Sequence, residues 1–542
     1  IGDLKNDPEI DSILWIGFPG CYGMLGVSDI LCGRTSPSGA LPDIYATYNM
    51  SAPAMQNMGN FQYENGADML TRGAGQTGGT TGNYLIEAEG IYVGYRYYET
   101  RYYDSVFGNG NAGSPVGAYA SSTEWDYDKE VAYGFGYGLS YTDFTQEFEG
   151  EPEFNVSTDP ETGVCDATAV FHVKVTNTGD MAGKSIVQIY GQAPYTEGGV
   201  EKSAVQLLNF GKTDTLKPGE SQVVSVEVDL QYIASYDNTY DNGDGTVGTY
   251  ILDPGTYYFA MGNGAHDALN HMMARQGADP ESLSGESNSA MAYEHKITED
   301  FISSTAFSVS KTGEKISNQL DYADWNYFQP GEVTYLSRTD WAGTYPKSYT
   351  DMTLVNEELI NLLNGNYYTI QTDDDTSGIT WGKDSNLMFY EMYGTDFDDV
   401  KWQDLLDKMT LEEAQYLATF GGPSIPGVSS IGTVETYMTE NAGNGVAVNL
   451  NASKDTGAPW SISASDPNGN WHPEVFANAP LVAASFNQDL YKEVGSFIGE
   501  EALFTGIPIL WGPSLNTHRH AYNGRNGEYY SEDPVLSGSA AM

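Results

Sequence analysis

One segment near the C-terminal end constrains the architecture more than any other. Leu490, Val494, Phe497, Ile498 and Ala502 recur at i, i+4, i+7, i+8 and i+12, the spacing of one apolar helix face. Gly506 follows as a helix stop. Ile507, Pro508, Ile509, Leu510 and Trp511 then make an apolar run too short for a helix, with the proline at its start, where a missing N–H is tolerated. A long polar loop reaches from Pro513 to Pro534. Helix, tight turn, strand and long loop is the rhythm of a (β/α) barrel of the TIM type, whose pocket lies at the C-terminal ends of its strands. Upstream, Leu405, Leu406 and Met409 lead into Thr410-Leu411-Glu412-Glu413, a capping box that opens another helix. Residues 401–542 are therefore expected to form the N-terminal part of such a barrel.

The rest of the chain reads differently. Ala167 to Thr176 alternates with a period of two, Asn177 to Asp180 turns, and Ser185 to Tyr190 and Ser221 to Val228 continue as strands. Asp253 to Ala260 closes this series. Residues 146–275 thus fit an all-β sandwich of the fibronectin type III kind. Residues 1–145 read as α/β. Ile13 to Phe18 is expected to be a short buried strand, followed by a helix carrying Leu25, Ile30 and Leu31 on its apolar side and stopped at Gly33. Asn49 to Asn83, rich in Gly, Met and Asn, reads as a surface excursion. Residues 276–400 are polar and weakly periodic, and are expected to be a linker with some strand and helix in it. The fold class is multidomain, α/β plus all-β.

Composition narrows the partners. Lys and Arg number 24 against 74 Asp and Glu, for a net charge of −50. Such a surface favours solubility and disfavours nucleic acid and anionic membrane. No apolar run reaches the ~18 residues of a membrane helix. Cys21, Cys32 and Cys165 are too few for a disulfide scaffold or a Cys-rich metal site, and are expected to be buried thiols. The acidic, Tyr-rich, Lys-poor make-up points to an extracytoplasmic or cell-surface bacterial protein; its oligomeric state is left open.

The loop after Trp511 carries the chemistry. Neutral sugars need donors and acceptors for neighbouring hydroxyls, and Arg with carboxylates supplies both. The same charges would equally serve an ion-pair lattice that packs the loop. The order Gly512-Pro513, Asn516, Arg519, Gly524-Arg525-Asn526, Glu528, Ser531-Glu532-Asp533-Pro534 resembles the signature of glycoside hydrolase family 3. Gly33-Arg34, Pro37-Ser38-Gly39-Ala40-Leu41-Pro42, Glu89 to Tyr98 and Phe135 to Thr142 are similar to the close of that family's α/β-sandwich domain. Lys408 to Glu413 and Gly499 to Ala502 resemble its barrel helices. The domain order resembles the family's inverted members, typified by bacterial β-glucosidases, in which the α/β-sandwich end precedes the barrel.

The resemblance implies hydrolysis of terminal non-reducing β-linked sugars with retention, β-xylosidase or N-acetylhexosaminidase activity being the alternatives within the family. A non-catalytic carbohydrate-binding or cell-wall protein is the alternative outside it. No cofactor is implied. Arg519 matches the arginine that binds the sugar in the −1 subsite. Where the family has Asp-Gly-Pro, this chain has Thr439-Glu440-Asn441, so Glu440 or Asn441 is the candidate second contact. Retaining members use two carboxylates about 5–5.5 Å apart. The resemblance places the nucleophile beyond Met542 and the acid/base before Ile1, so no catalytic residue is assigned here and the chain alone is expected not to turn over substrate.

Four other patterns are set aside. Thr339-Asp340-Trp341 imitates the family's nucleophile tripeptide but sits ahead of the first barrel helix. Gly73 to Gly78 imitates a dinucleotide loop without the flanking strand and helix. Asp237, Asp241 and Asp244 lack the downstream Glu of an EF-hand and read as a solvated hairpin tip. His518 and His520 lack an acidic cluster at metal spacing.

Overall fold

The computed structural model describes residues 1–66, 83–119, 122–298, 307–363, 378–420, 424–440, 445–446, 475–505 and 507–542. Asn441, Gly506 and the Gly73 to Gly78 segment lie outside them, as does the side chain of Glu440.

In the N-terminal part, helix α1 spans Gly23–Leu31 and helix α2 spans Tyr95–Phe107, which ends on Gly108 in the left-handed region at φ 74°. Tyr95, Tyr97, Tyr98, Arg101, Tyr102 and Asp104 of α2 are all buried. An aromatic helix enclosed on nearly every side must satisfy its polar atoms internally. Arg101 does so, donating to the Tyr97 hydroxyl at 2.7 Å and to the Ala112 and Ser114 carbonyls at 2.9 Å each.

Ile13 to Phe18 does not form the buried strand expected. Ile13, Leu14 and Phe18 are exposed, and no strand pairs with them among the described residues. Instead, Phe18 exchanges hydrogen bonds with Asn478, and Cys21 N–H reaches the Val475 carbonyl. A strand requires a neighbouring ladder, and here loop groups of the C-terminal part take that place. Leu25 and Leu31 of α1 are likewise exposed. The three cysteines are free, but only Cys165 is buried. It occupies an inward strand position, whereas Cys21 and Cys32 flank the uncovered helix α1.

The sandwich follows. Its strands are β1 Phe144–Phe148, β2 Glu153–Thr158, β3 Cys165–Asn177, β4 Ile186–Gln192, β5 Gln206–Lys212, β6 Ser221–Asp229, β7 Ser235–Asp241, β8 Val247–Ile251, β9 Gly255–Gly262 and β10 Ala292–Ile297. Helix α3 spans Ala265–Arg275. Strand β3 is the spine of one sheet, pairing with β6 on one edge and with β1 and then β2 on the other. The second sheet runs β10-β9-β4-β5. The period-two alternation of β3 buries Ala167, Ala169, Phe171, Val173 and Val175 against Val187, Ile189, Phe259 and Met261 of the second sheet. That second sheet is covered on its other face too, where Tyr190, Leu207, Phe210 and Ala260 meet α2 and α3. Hence β4 lacks alternation and is buried almost throughout. The sheet also runs past residue 275, because β10 pairs with β9 from Gly255↔Ile297 to Ala260↔Ala292. Strands β7 and β8 form a hairpin whose tip carries Asp241 and Asp244, the latter held by Lys315.

The segment expected to be a linker acts in part as a strap. Trp325, Val333, Tyr349, Met352 and Leu354 pack on Ile86 and Ala88. Arg338 lies across the Asp104 carboxylate at 2.6 and 2.9 Å, and Trp341 donates to the same group at 3.0 Å. Asp340, the imitation nucleophile, caps a single turn at Trp341–Thr344 and accepts from Asn111 at 2.7 Å.

In the C-terminal part, the capping box opens helix α4, Leu411–Thr419, with Thr410 and Glu413 bonded reciprocally. Strand β11, Thr436–Glu440, helix α5, Gln488–Thr505, strand β12, Ile509–Trp511, and helix α6, Pro534–Ala541, complete the chain. Strands β11 and β12 are parallel, in register from Met438↔Ile509 to Glu440↔Trp511. Helix α5 buries Ile498 and Ala502 as the spacing required, but Phe497 is exposed and Tyr491 is buried in its stead.

Candidate functional site

Parallel pairing of β11 and β12 sends both C-terminal ends to one side. The loop leaving β12 turns back onto the N-terminal part and closes a cavity of about 380 Å³. Trp15, Tyr45 and Tyr92 line it from the N-terminal part, and His518, Arg519 and His520 from the loop. The site is therefore an interface between stretches of chain more than 400 residues apart.

Arg519 is fixed before any ligand arrives. Its Nε donates to Glu89 Oε1 at 2.5 Å, and Nη2 donates to Glu89 Oε2 at 3.0 Å and the Ile86 carbonyl at 3.1 Å. Glu89 is 1% exposed and Arg519 15%, so this bidentate pair is largely shielded from water. Glu87, 3.7 Å away and well exposed, is a weaker neighbour. Nη1 has no partner among the described residues. The guanidinium thus presents one edge to Glu89 and keeps one N–H₂ for the cavity.

The next residues lock the loop. His518 is buried between the Asp43 carboxylate at 2.8 Å and the Tyr529 carbonyl at 3.0 Å. Both partners only accept, so both ring nitrogens donate and the imidazole is charged. Burial opposes that charge, but Asp43 and the carbonyls outweigh it and hold the His518 pKa above the ordinary histidine value. Asp43 also accepts the Glu532 N–H at 2.8 Å. Glu532 in turn accepts the N–H groups of Ile44 at 3.0 Å and Tyr95 at 2.9 Å. Gly94, at φ 57°, makes room for it, since a Cβ there would overlap the carboxyl group. Burial, reinforced by Asp43, pushes the Glu532 carboxyl well above the usual range. Asp533 accepts the Tyr95 hydroxyl at 2.8 Å and caps α6 through Val535 and Leu536 N–H, both at 2.9 Å. The Ser-Glu-Asp-Pro motif and the Glu89 to Tyr98 motif are two halves of one joint.

His520 stands apart from this lattice. Burial and the Arg519 charge pull its pKa down, so it is neutral at neutral pH. Tyr45 keeps its proton, with burial, Asp43 and Glu532 pushing it up to about 12. The cavity therefore offers aromatic faces, a hydroxyl, a neutral imidazole and one guanidinium edge, a set suited to holding a neutral polyol. Among the described residues, no group of three potential metal ligands occurs, and no helix is long and apolar enough to cross a membrane.

Of the three residues singled out from sequence, Arg519 lies at the cavity and Glu440 ends β11 on the same side of the sheet. Glu89, Asp43 and Tyr95 were missed as site residues. Their motif stood out, but nothing in one sequence says which distant loop answers it.

Along nearly its whole length the chain is similar to proteins named β-glucosidases. Residues 185–265 match the fibronectin type III-like domain. Along 99% of its length the chain is 27% identical to β-glucosidase A of Butyrivibrio fibrisolvens, covering 54% of that protein. Along 98% it is 27% identical to a β-glucosidase of Ruminococcus albus, covering 43%. The chain thus spans about half the length of the curated relatives it matches. A crystal structure of a β-glucosidase from Paenibacillus barengoltzii shares the fold over 96% of this chain and 45% of its own, with a TM-score of 0.57 at 22% identity.

Proposed function

We propose that the protein hydrolyses terminal non-reducing β-linked sugars with retention, β-glucosides being its best substrates, and that this chain supplies one binding wall of the pocket. Arg519 carries the proposal: a shielded guanidinium, oriented by Glu89, lines the cavity and keeps Nη1 for a ligand. Arg519 clamps the terminal sugar, and Glu440, which ends β11, or its chain neighbour Asn441 gives a second contact. The β-glucosidase relatives at 27% identity over nearly the whole chain support the same activity. The acidic, Lys-poor surface favours action outside the cytoplasm of a bacterium.

The test is turnover. The complete product of the gene is expected to release nitrophenol from a nitrophenyl β-glucoside, with the β-anomer of glucose appearing first by proton NMR. Absence of turnover would remove the proposal. Faster release from the xyloside or the N-acetylglucosaminide would replace glucose as the preferred sugar. The 542-residue chain alone, in which no catalytic carboxylate pair is assigned, is expected to bind glucose without turnover.

A further inference from the structure

Three polar atoms on the loop after β12 have no hydrogen-bond partner among the described residues. They are Arg519 Nη1, His520 Nδ1 and Asn526 Oδ1, the last two buried. All three side chains line the same cavity. Asn526 is held in place by its other end, since Nδ2 donates to the His520 carbonyl at 2.9 Å. A buried polar atom without a partner costs about 1–3 kcal/mol, and folded proteins keep few of them. Adjacent orphans on one cavity wall mark groups whose partner arrives from outside.

The chemistry of the set selects that partner. The Arg519 charge is already answered by Glu89, and His520 is neutral. What remains is one N–H donor, one imidazole that can donate or accept, and one amide oxygen that only accepts. An anion would meet the amide oxygen unfavourably, and a cation would meet the guanidinium. Vicinal hydroxyls, each able to donate and accept, satisfy all three.

We propose that His520 contacts the substrate directly and, with Arg519 and Asn526, brackets neighbouring hydroxyls of the bound pyranose. The proposal rests on the sugar-binding role of the cleft and adds to it a residue that sets which hydroxyl pattern fits.

The experiment uses the 542-residue chain labelled with ¹³C at the histidine ring. It has seven histidines, and His520→Gln assigns the signal of interest. Glucose and its monodeoxy analogues are titrated to about 0.1 M, a range that reaches millimolar dissociation constants. The His520 ring signals are expected to shift along the binding curve. His520→Ala is expected to weaken glucose about tenfold, and His520→Gln, which restores a donor and an acceptor, to recover most of that loss. The deoxy analogue lacking the contacted hydroxyl should bind the wild type and His520→Ala equally. If glucose binds while the His520 signals stay still, or if His520→Ala binds as tightly as the wild type, the proposal is overturned and the cleft remains a sugar site. If the chain binds no glucose, the proposal also falls, whereas hydrolysis by the complete gene product is judged by its own turnover assay.

Discussion

Arg519→Ala is the perturbation that most directly probes the joint between the two ends of the chain. Removing the guanidinium strands the Glu89 carboxylate, only 1% exposed, without its counter-charge. Removing one member of a buried pair costs about 3–5 kcal/mol, because the survivor cannot recover its hydration. Glu89→Gln is milder. Its amide oxygen still accepts one N–H, and Arg519 keeps the Ile86 carbonyl and the exposed Glu87 at 3.7 Å. Loss of a charge-assisted bond then costs about 1.5–3 kcal/mol, since an exposed ion pair with Glu87 returns only ~0–1. The double variant removes both charges and should cost less than the sum of the single changes, leaving a coupling of about 2–3 kcal/mol. Hydrogen exchange read by mass spectrometry on peptides spanning residues 86–98 reports this locally, through the Tyr95 N–H held by Glu532. Arg519→Ala should speed exchange there by about 10²- to 4 × 10³-fold, at 1.4 kcal/mol per tenfold, with the β3 peptides unchanged. A change of less than threefold in both single variants would mean that the pair is solvated and that the cleft is not built as described.

Other changes separate the remaining contacts. Glu532→Gln keeps an acceptor for the Ile44 and Tyr95 N–H groups and removes the charge. Because burial raises the Glu532 pKa in the folded chain, its proton stabilises the fold; that stability is full below about 4.3 and is lost as pH rises through the raised value. The variant should therefore match the wild type in acid and exceed it in urea midpoint at neutral pH. His518→Gln should follow the same pH trend but as a loss: the charged pair with Asp43 is worth most below the ordinary histidine value of about 6.5 and fades as pH climbs through the raised one, so the variant loses most at the acid end of that window. Asp533→Ala removes the cap of α6 and the acceptor of the Tyr95 hydroxyl, a loss of about 1–3 kcal/mol in urea unfolding. Phe171→Ala, at a fully buried position of the sandwich, should cost about 3–5 kcal/mol and leave exchange in residues 86–98 unchanged.

The elements legible in the sequence were those whose signal is local. The alternation of β3 and the capping box of α4 need only neighbours in the chain, and both stand where their patterns put them. Failures came where burial depends on distant partners. Ile13 to Phe18 has the apolar content of a buried strand, yet Phe18 bonds to Asn478 and, just beyond the segment, Cys21 bonds to Val475. The strap across Ile86 and Ala88 uses single apolar residues, Trp325, Val333 and Leu354, too widely spaced for any period to reveal. The site was half legible for the same reason. Arg519 could be found because it follows an apolar strand closely, but Glu89, which aims it, lies 430 positions earlier in a motif with no visible charge complement.

The joint between the Glu89 and Ser531 motifs also fixes an order of events during synthesis. Its hydrogen bonds span |i−j| of 430 to 489, whereas the sandwich closes its ladders over far shorter loops. A chain emerging from the ribosome can complete β1 to β10 long before residue 519 exists. Tyr95 and Glu89 must wait, with their acceptors and charges exposed, for partners that lie 437 and 430 positions later in the chain. The cavity is thus the last part of this chain to be assembled, and a nascent or truncated product shows a finished sandwich beside an unbuilt pocket.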